Sequence, residues 1–253
     1  MRRDFGYFIN RYWLIWFSLG FGLFVGLPFL APALMEVGFS KAANLIYTIY
    51  SFLCHQMPQR SFFLFGEKAM YSLFEIQNAG QTTINPMVLR RFIGNSEMGW
   101  KVAWSDRMVS MYTSVLFAAW IWYPFRKKLS NFPFWGFVLL LLPMGIDGFS
   151  HMISDFAGIG QGFRDTNHWL AELTNYQFSA GFYAGDALGS FNSWMRFLSG
   201  LFFGIGVVWY GFPYLNEIFE DNLAQIRVKQ ENLARLRSEA LNKINEFKRG
   251  SLK

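Results

Sequence analysis

Tyr12-Trp13-Leu14-Ile15-Trp16-Phe17-Ser18-Leu19-Gly20-Phe21-Gly22-Leu23-Phe24-Val25-Gly26-Leu27-Pro28-Phe29-Leu30-Ala31-Pro32-Ala33-Leu34-Met35 contains no Asp, Glu, Lys, Arg or His. A helix of roughly 20 apolar residues crosses the hydrocarbon core of a bilayer, so this stretch reads as a membrane span. Arg2 and Arg3 precede it and Ala31-Pro32-Ala33 mimics a cleavage site, but its apolar region exceeds the ~7–15 residues of a signal peptide, and it is read as retained. Three further runs share its character: Met108 to Phe125, Phe132 to Ile153 and Phe197 to Tyr214. The composition agrees. Hydrophobic residues make up 53% and aromatics 20%, while charged residues are 16% against about 25% in soluble domains. Abundant amphipathic rings suit helices that end at lipid headgroups.

Orientation follows from the basic flanks. Arg2, Arg3 and Arg11 precede the first span, Arg126-Lys127-Lys128 join the second to the third, and the segment after Asn216 is rich in Lys and Arg. The positive-inside rule puts these on the cytoplasmic side of the plasma membrane, with both termini inside. Residues 36–105 and 154–194 then face outward. Ala42 to Gln59 is uncharged apart from any charge on His55, and is suited to a re-entrant helix or hairpin. Phe62 to Trp100 mixes Glu67, Lys68, Glu75, Arg90 and Arg91 with apolar residues, which fits interfacial helices lying on the bilayer. The fold class expected is therefore all-α: a membrane domain over residues 1–215 with about four crossings plus interfacial or re-entrant outer helices, and a cytoplasmic helical tail over 216–253.

The net charge of +6 does not point to nucleic acid, because the basic residues sit at membrane edges and in the tail. No P-loop, G-x-G-x-x-G or G-x-S-x-G string occurs, so a nucleotide cofactor is not expected. Gly22-x3-Gly26 and Gly200-x3-Gly204 lie inside spans, where close helix packing is the ordinary reading. In the tail, Phe219, Ile226, Leu233, Ala240 and Phe247 recur every seven residues, with Gln230 and Arg237 interrupting the second seam. Such imperfect heptads make either a solvated helix or a seam for a homo-oligomer or protein partner.

The chemistry-bearing residues converge on the outward side. The single cysteine, Cys54, excludes an intramolecular disulfide and sits in Cys54-His55-Gln56-Met57-Pro58-Gln59-Arg60-Ser61. Asp147, His151 and Asp155 fall at i, i+4 and i+8, which places them along one helix face. That face must look into the bundle or into water, since a charge facing lipid is costly. With Cys54 or His55, the ladder offers donors for a divalent metal such as zinc; it equally offers a proton relay or a set of caps and hydrogen bonds. Asp106, Asp165, His168 and Asp186 lie on the same side, Asp186 reading as a local cap. Arg60, Arg107 and Arg196 bound apolar segments and suit either bidentate grip on a phosphate or carboxylate, or snorkelling to the interface.

The string Cys54-His55-Gln56-x-Pro58-x-Arg60-Ser61 resembles the signature of predicted multi-spanning membrane proteins grouped as domain-of-unknown-function family 2085. Trp104-Ser105-Asp106-Arg107-Met108-Val109-Ser110-Met111-Tyr112, Pro143-Met144-Gly145-Ile146-Asp147-Gly148 and Trp194-Met195-Arg196 are similar to further segments of that family. The resemblance implies a membrane location and carries no activity with it. Ser105 stands near the position where many relatives have a second cysteine, so a two-thiolate metal site is not carried over. Three functions stay open: a metal-binding protein or enzyme acting on a lipid-linked or small polar substrate, a transporter or ion/proton pathway, and a structural or assembly subunit.

Overall fold

The apolar stretch quoted above folds as a helix, with Pro28 and Pro32 inside it and most of its surface turned away from the rest of the chain. The computed structural model describes residues 5–80, 82–185 and 188–250; Arg2, Arg3 and Asp186 lie outside them. The elements in chain order are α1 (Phe5–Arg11), α2 (Trp13–Glu36), α3 (Ser40–Ser51), β1 (Ser61–Leu64), α4 (Leu73–Asn78), α5 (Pro86–Leu89), β2 (Gly94–Asn95), β3 (Gly99–Ser105), α6 (Asp106–Phe125), α7 (Phe134–Asp155), α8 (Phe163–Thr166), α9 (His168–Leu173), α10 (Ala180–Tyr183) and α11 (Phe191–Gly250). The protein is a predominantly helical membrane protein. Among the described residues, α2, α7 and the first part of α11 are long and apolar enough to cross a bilayer. Helix α6 is 20 residues long and less apolar, because Asp106, Arg107, Ser110, Thr113 and Ser114 replace aliphatic residues along it.

Those hydroxyls explain how α6 fits. A Cβ added to Gly200 would approach the Ser110 Oγ to 2.6 Å, and one on Gly204 would approach the Ser114 Oγ to 2.1 Å. Ser110 donates to the Phe197 carbonyl (2.6 Å) and Ser114 to the Gly200 carbonyl (2.9 Å). The Gly200-x3-Gly204 step is therefore the close contact between α6 and α11, as its spacing suggests. A Cβ added to Gly22 or Gly26 would meet no other described part of the chain within 4 Å. Helices α2, α6, α7 and α11 alternate in direction, so the 126–133 connection and the tail share one end of the bundle, and residues 37–105 and 156–190 share the other.

At the tail end, Trp13 stacks on Phe219 with ring centres 5.2 Å apart and meets Phe212 edge-on, while Trp122 also packs on Phe212. Helix α11 runs unbroken for 60 residues, so the last span and the charged tail are one helix. The first turns beyond the apolar part are not free: Leu223 is buried, and Asn222 donates to Asn10 (3.1 Å) on α1.

The opposite end departs from the expectation of interfacial helices between Phe62 and Trp100. Strand β3 pairs antiparallel with β1 on one side and β2 on the other, giving the order β1-β3-β2. Aromatic and β-branched residues in Phe62-Phe63-Leu64 and Trp100-Lys101-Val102-Ala103-Trp104 favour a pleated, half-buried surface. Gly99, at φ +74°, makes the close approach possible, since any Cβ there would lie 2.2 Å from the Leu64 carbonyl oxygen. Among the described residues of this stretch, only the short α4 and α5 are helical. Helix α3, 12 residues long, lies against α2 and β3 through Ala43, Ile46, Tyr47 and Tyr50 and exposes Leu45 and Ile49 on its other face. It is too short to span the core by itself.

Candidate functional site

Each candidate side chain at this end is placed by a local device. Pro58 opens a 3-10 turn over Pro58–Arg60 that ends the apolar approach from α3 and swings Arg60 toward α7. Before it, Gln56 adopts a left-handed backbone (φ +51°), an uncommon state for a residue with a Cβ. It is held by its side chain donating to the Tyr47 carbonyl (2.9 Å) and by its own carbonyl accepting from the Lys101 Nζ (2.8 Å). The Cys54 Sγ accepts from the backbone N–H groups of Gln56 and Ser105, both at 3.4 Å, so the thiol ties this turn to the start of α6. Cys54 is buried while His55 is exposed.

The acidic ladder of α7 is taken up by guanidinium groups. Asp147 is buried and accepts from Arg107 and Arg164, each at 2.7 Å. Asp155 receives a bidentate pair from Arg60, at 2.8 and 2.7 Å. At the start of α6, Asp106 accepts from the Arg196 Nε at 2.6 Å, with the arginine only 2% exposed. Paired geometry of this kind is what permits charges so far from water.

Arg164 had no expected role, yet it is the most fully engaged cation of the cluster. Its Nε donates to Asn192 (3.0 Å), its Nη1 to Ser150 (3.0 Å) and its Nη2 to Asp147, with the His151 Nε2 3.2 Å from the same Nη2. Burial pushes this guanidinium down from its ordinary value and Asp147 acts against that. The loop that delivers it packs tightly on α7: a Cβ on Gly162 would fall 2.0 Å from the Ser154 Oγ. The one sequence signal was the glycine spacing of Gly158, Gly160 and Gly162 ahead of an arginine. Asp165 caps that loop by accepting from the Gly162 N–H (2.8 Å), and burial raises its pKa while this bond opposes the shift. His168 is exposed beside Glu172 and lies apart from the cluster.

A guanidinium can only donate, so the His151 Nε2 facing Arg164 must be the acceptor nitrogen. The ring is then neutral with its proton on Nδ1, an atom that is buried without a hydrogen-bond partner among the described residues. Both terminal nitrogens of Arg196 and the Nε of Arg107 are likewise buried without such a partner.

These groups surround one cavity of about 520 Å³. Cys54, His55, Arg60, Asp106, Arg107, His151, Asp155 and Arg196 all line it, together with apolar residues such as Met108, Met152 and Ile159. The structure thus brings the Cys54-His55 turn to the same space as His151 and Asp155 of the α7 ladder, while Asp147 is not among the residues that line it. It does not gather the five expected metal donors, Cys54, His55, Asp147, His151 and Asp155, into one shell. Among the described residues no three His, Cys, Asp or Glu side chains are grouped to hold an ion, and guanidiniums occupy both ladder carboxylates. Of the charged side chains on the cavity wall, three are arginines and two are aspartates, an excess of positive charge.

A further buried cation lies behind this wall. Lys101, wholly buried on β3, donates from Nζ to the carbonyls of Gln56 (2.8 Å) and Arg90 (2.5 Å). Burial pushes its pKa down to about 7; the Cys54 sulfur acts against the shift and Arg90 with it. A neutral amine still has two N–H groups for the two carbonyls, so the geometry is satisfied in that form.

The family model described as "Predicted membrane protein (DUF2085)" matches residues 96–210, which include Asp106, Arg107, the α7 ladder, Arg164 and Arg196. An uncharacterised protein of Methanocaldococcus jannaschii is 31% identical over 182 residues, covering 69% of this chain and 88% of that protein. No solved structure matches the chain.

Proposed function

The chain belongs to the DUF2085 family of predicted membrane proteins, and we propose that within the membrane its arginine-lined cavity binds an oxyanion, a phosphate or carboxylate carried by a lipid-linked or small polar substrate. The observation that carries this reading is Arg196: buried on the cavity wall, fixed through Nε by Asp106, and left with two terminal nitrogens that no group among the described residues accepts from. Leaving such donors unsatisfied costs on the order of 1–3 kcal/mol per group, more where charged, and an oxyanion supplies acceptors in the planar fork geometry that arginine prefers. Arg107 and Arg60 flank it, and the Nδ1–H of His151 is one more donor. A divalent metal has weaker support, since it has to displace guanidinium from Asp147 or Asp155 and stand beside three arginines.

We place four crossings in the plasma membrane with the basic 126–128 loop and the tail inside, which puts the cavity at the outer leaflet; the shared end of those two basic segments supports this. A membrane-impermeant thiol reagent on intact cells is then expected to label a cysteine introduced at Asn175 and not one at Glu231, in a Cys54→Ser background. Beyond α1, the tail exposes Leu233, Leu236, Leu241 and Ile244, the surface for a homo-oligomer or protein partner.

Binding is tested by adding inorganic phosphate to the detergent-solubilised protein and following its melting temperature and heat of binding. A ligand that binds only the folded state raises the melting temperature. The expected result is a phosphate-dependent rise in wild type that vanishes in Asp106→Asn/Arg196→Gln, which removes the charge pair together. Absence of any phosphate effect on wild type overturns the reading.

A further inference from the structure

Next to the arginine-lined cavity lies a second one of about 400 Å³, walled by Phe62, Val109, Thr113, Leu188, Trp194 and Phe197 among others, and Asp106 belongs to both walls. From Asp106 to Thr113 the α6 wall descends seven residues, a rise of about 10 Å along a membrane helix, away from the polar end. The opposite wall descends in parallel on α11, from Ser193 and Trp194 to Phe197. Trp194 and Phe197 are each about half exposed, so the groove opens sideways between α6 and α11. Both volumes fall within the range of small-molecule sites, ~300–1,000 Å³.

We infer that the ligand is an anionic lipid with a terminal phosphate, whose head sits among Arg60, Arg107 and Arg196 and whose hydrocarbon chain lies in the α6–α11 groove. This rests on the oxyanion reading above and adds the chain. The occupant follows from what meets at Asp106: an excess of buried positive charge on one side, and on the other a mainly apolar slot with few polar groups beyond hydroxyls already bonded to the backbone, Ser110 to Phe197 and Thr113 to Val109. A free phosphate satisfies only the first half. A fully apolar molecule leaves the Arg196 nitrogens unpaired. An amphiphile with its charge at one end matches both, entering laterally with its chain at hydrocarbon depth.

The experiment uses the full-length protein in detergent and three probes: inorganic phosphate, dioctanoyl phosphatidic acid and dioctanoyl phosphatidylcholine. Wild type is expected to bind phosphatidic acid at least about tenfold more tightly than inorganic phosphate, the gain from burying a few methylenes, and more tightly than phosphatidylcholine. Two single variants fill the groove from either wall, Thr113→Trp and Ser193→Phe. Each folded variant, checked by its helical circular dichroism, is expected to lose the lipid advantage while its affinity for inorganic phosphate stays within about twofold. Unchanged lipid binding in both variants, or equal binding of phosphatidylcholine, overturns the inference. If wild type binds phosphate normally and gains nothing from the chains, only the lipid inference fails; if it binds neither phosphate nor phosphatidic acid, the oxyanion reading itself fails.

Discussion

The two ends of the bundle solve the same packing problem with opposite chemistry. Near the tail, Trp13, Trp122, Phe212 and Phe219 interlock with centroid spacings of 5.2–5.9 Å, and the groups they bury are almost entirely apolar. At the other end, Asp106, Asp147, Arg164 and Arg196 are buried as ions, although well-packed apolar residues of similar volume are often as stable or more stable. A fold selected for stability alone has no need of that second end. The aromatic end holds the helices together; the ionic end holds donors at fixed positions around a cavity.

The sharpest way to break this comparison is to remove one ion. Asp147→Ala leaves Arg107 and Arg164 without their shared acceptor, and a loss of roughly 5 kcal/mol, the upper part of the range for breaking a buried pair, is expected in reversible unfolding from detergent micelles. Trp13→Ala at the aromatic end is expected to cost about 3 kcal/mol by the same measurement, through lost ring contact and a cavity. If the Asp147 variant is the milder of the two, the ionic end is not the strained one.

Replacing both partners of one pair sharpens the point. Asp106→Leu/Arg196→Met is expected to leave stability unchanged or raise it by about 1 kcal/mol, while abolishing the phosphate-dependent rise in melting temperature. A double variant that is much less stable than wild type would mean the pair is retained for folding.

Lys101 gives the ionic end a pH signature. Its pKa is about 7 in the folded protein and near the ordinary lysine value when unfolded, so between those values the unfolded chain binds one more proton. Stability is therefore expected to rise with pH from about 7 toward 10, with a slope of up to ~1.4 kcal/mol per pH unit from this group. Below pH 7 the full cost of burying the ammonium is present. Lys101→Met is expected to flatten that slope, measured as melting temperature against pH. The smallest effect is expected from truncation after Val228, beyond the contacts of Leu223 and Ile226 with the bundle and α1; helical content and melting temperature of the remainder should hardly change.

The membrane helices were legible because their signal is local: α2, α7 and α11 needed only a count of apolar residues. Met108 to Phe125 was legible as a helix, α6, although its polar residues keep it out of the set apolar enough to cross a bilayer, and Gly200-x3-Gly204 announced the close contact its hydroxyls serve. The sheet was missed because strands of two to seven residues carry little periodicity, and β1 finds β3 across an intervening stretch that holds α4, α5 and β2. In the site, Arg60, Arg107 and Arg196 were flagged by position at the ends of apolar runs. Arg164 was not, since nothing in Gly162-Phe163-Arg164-Asp165 says that the loop folds back onto Ser154.

By itself, then, the sequence determined that this chain is a helical membrane protein with its histidines and candidate site residues at one end and its basic tail at the other, because the hydrocarbon core admits only long apolar segments and that requirement is written residue by residue. Tertiary structure alone decided what those groups do to one another. Whether Asp147 and Asp155 are free to ligate or are neutralised by arginines depends on side chains that come together from separate helices and loops, and on which nitrogens of Arg196 and His151 are left without acceptors once that packing is complete.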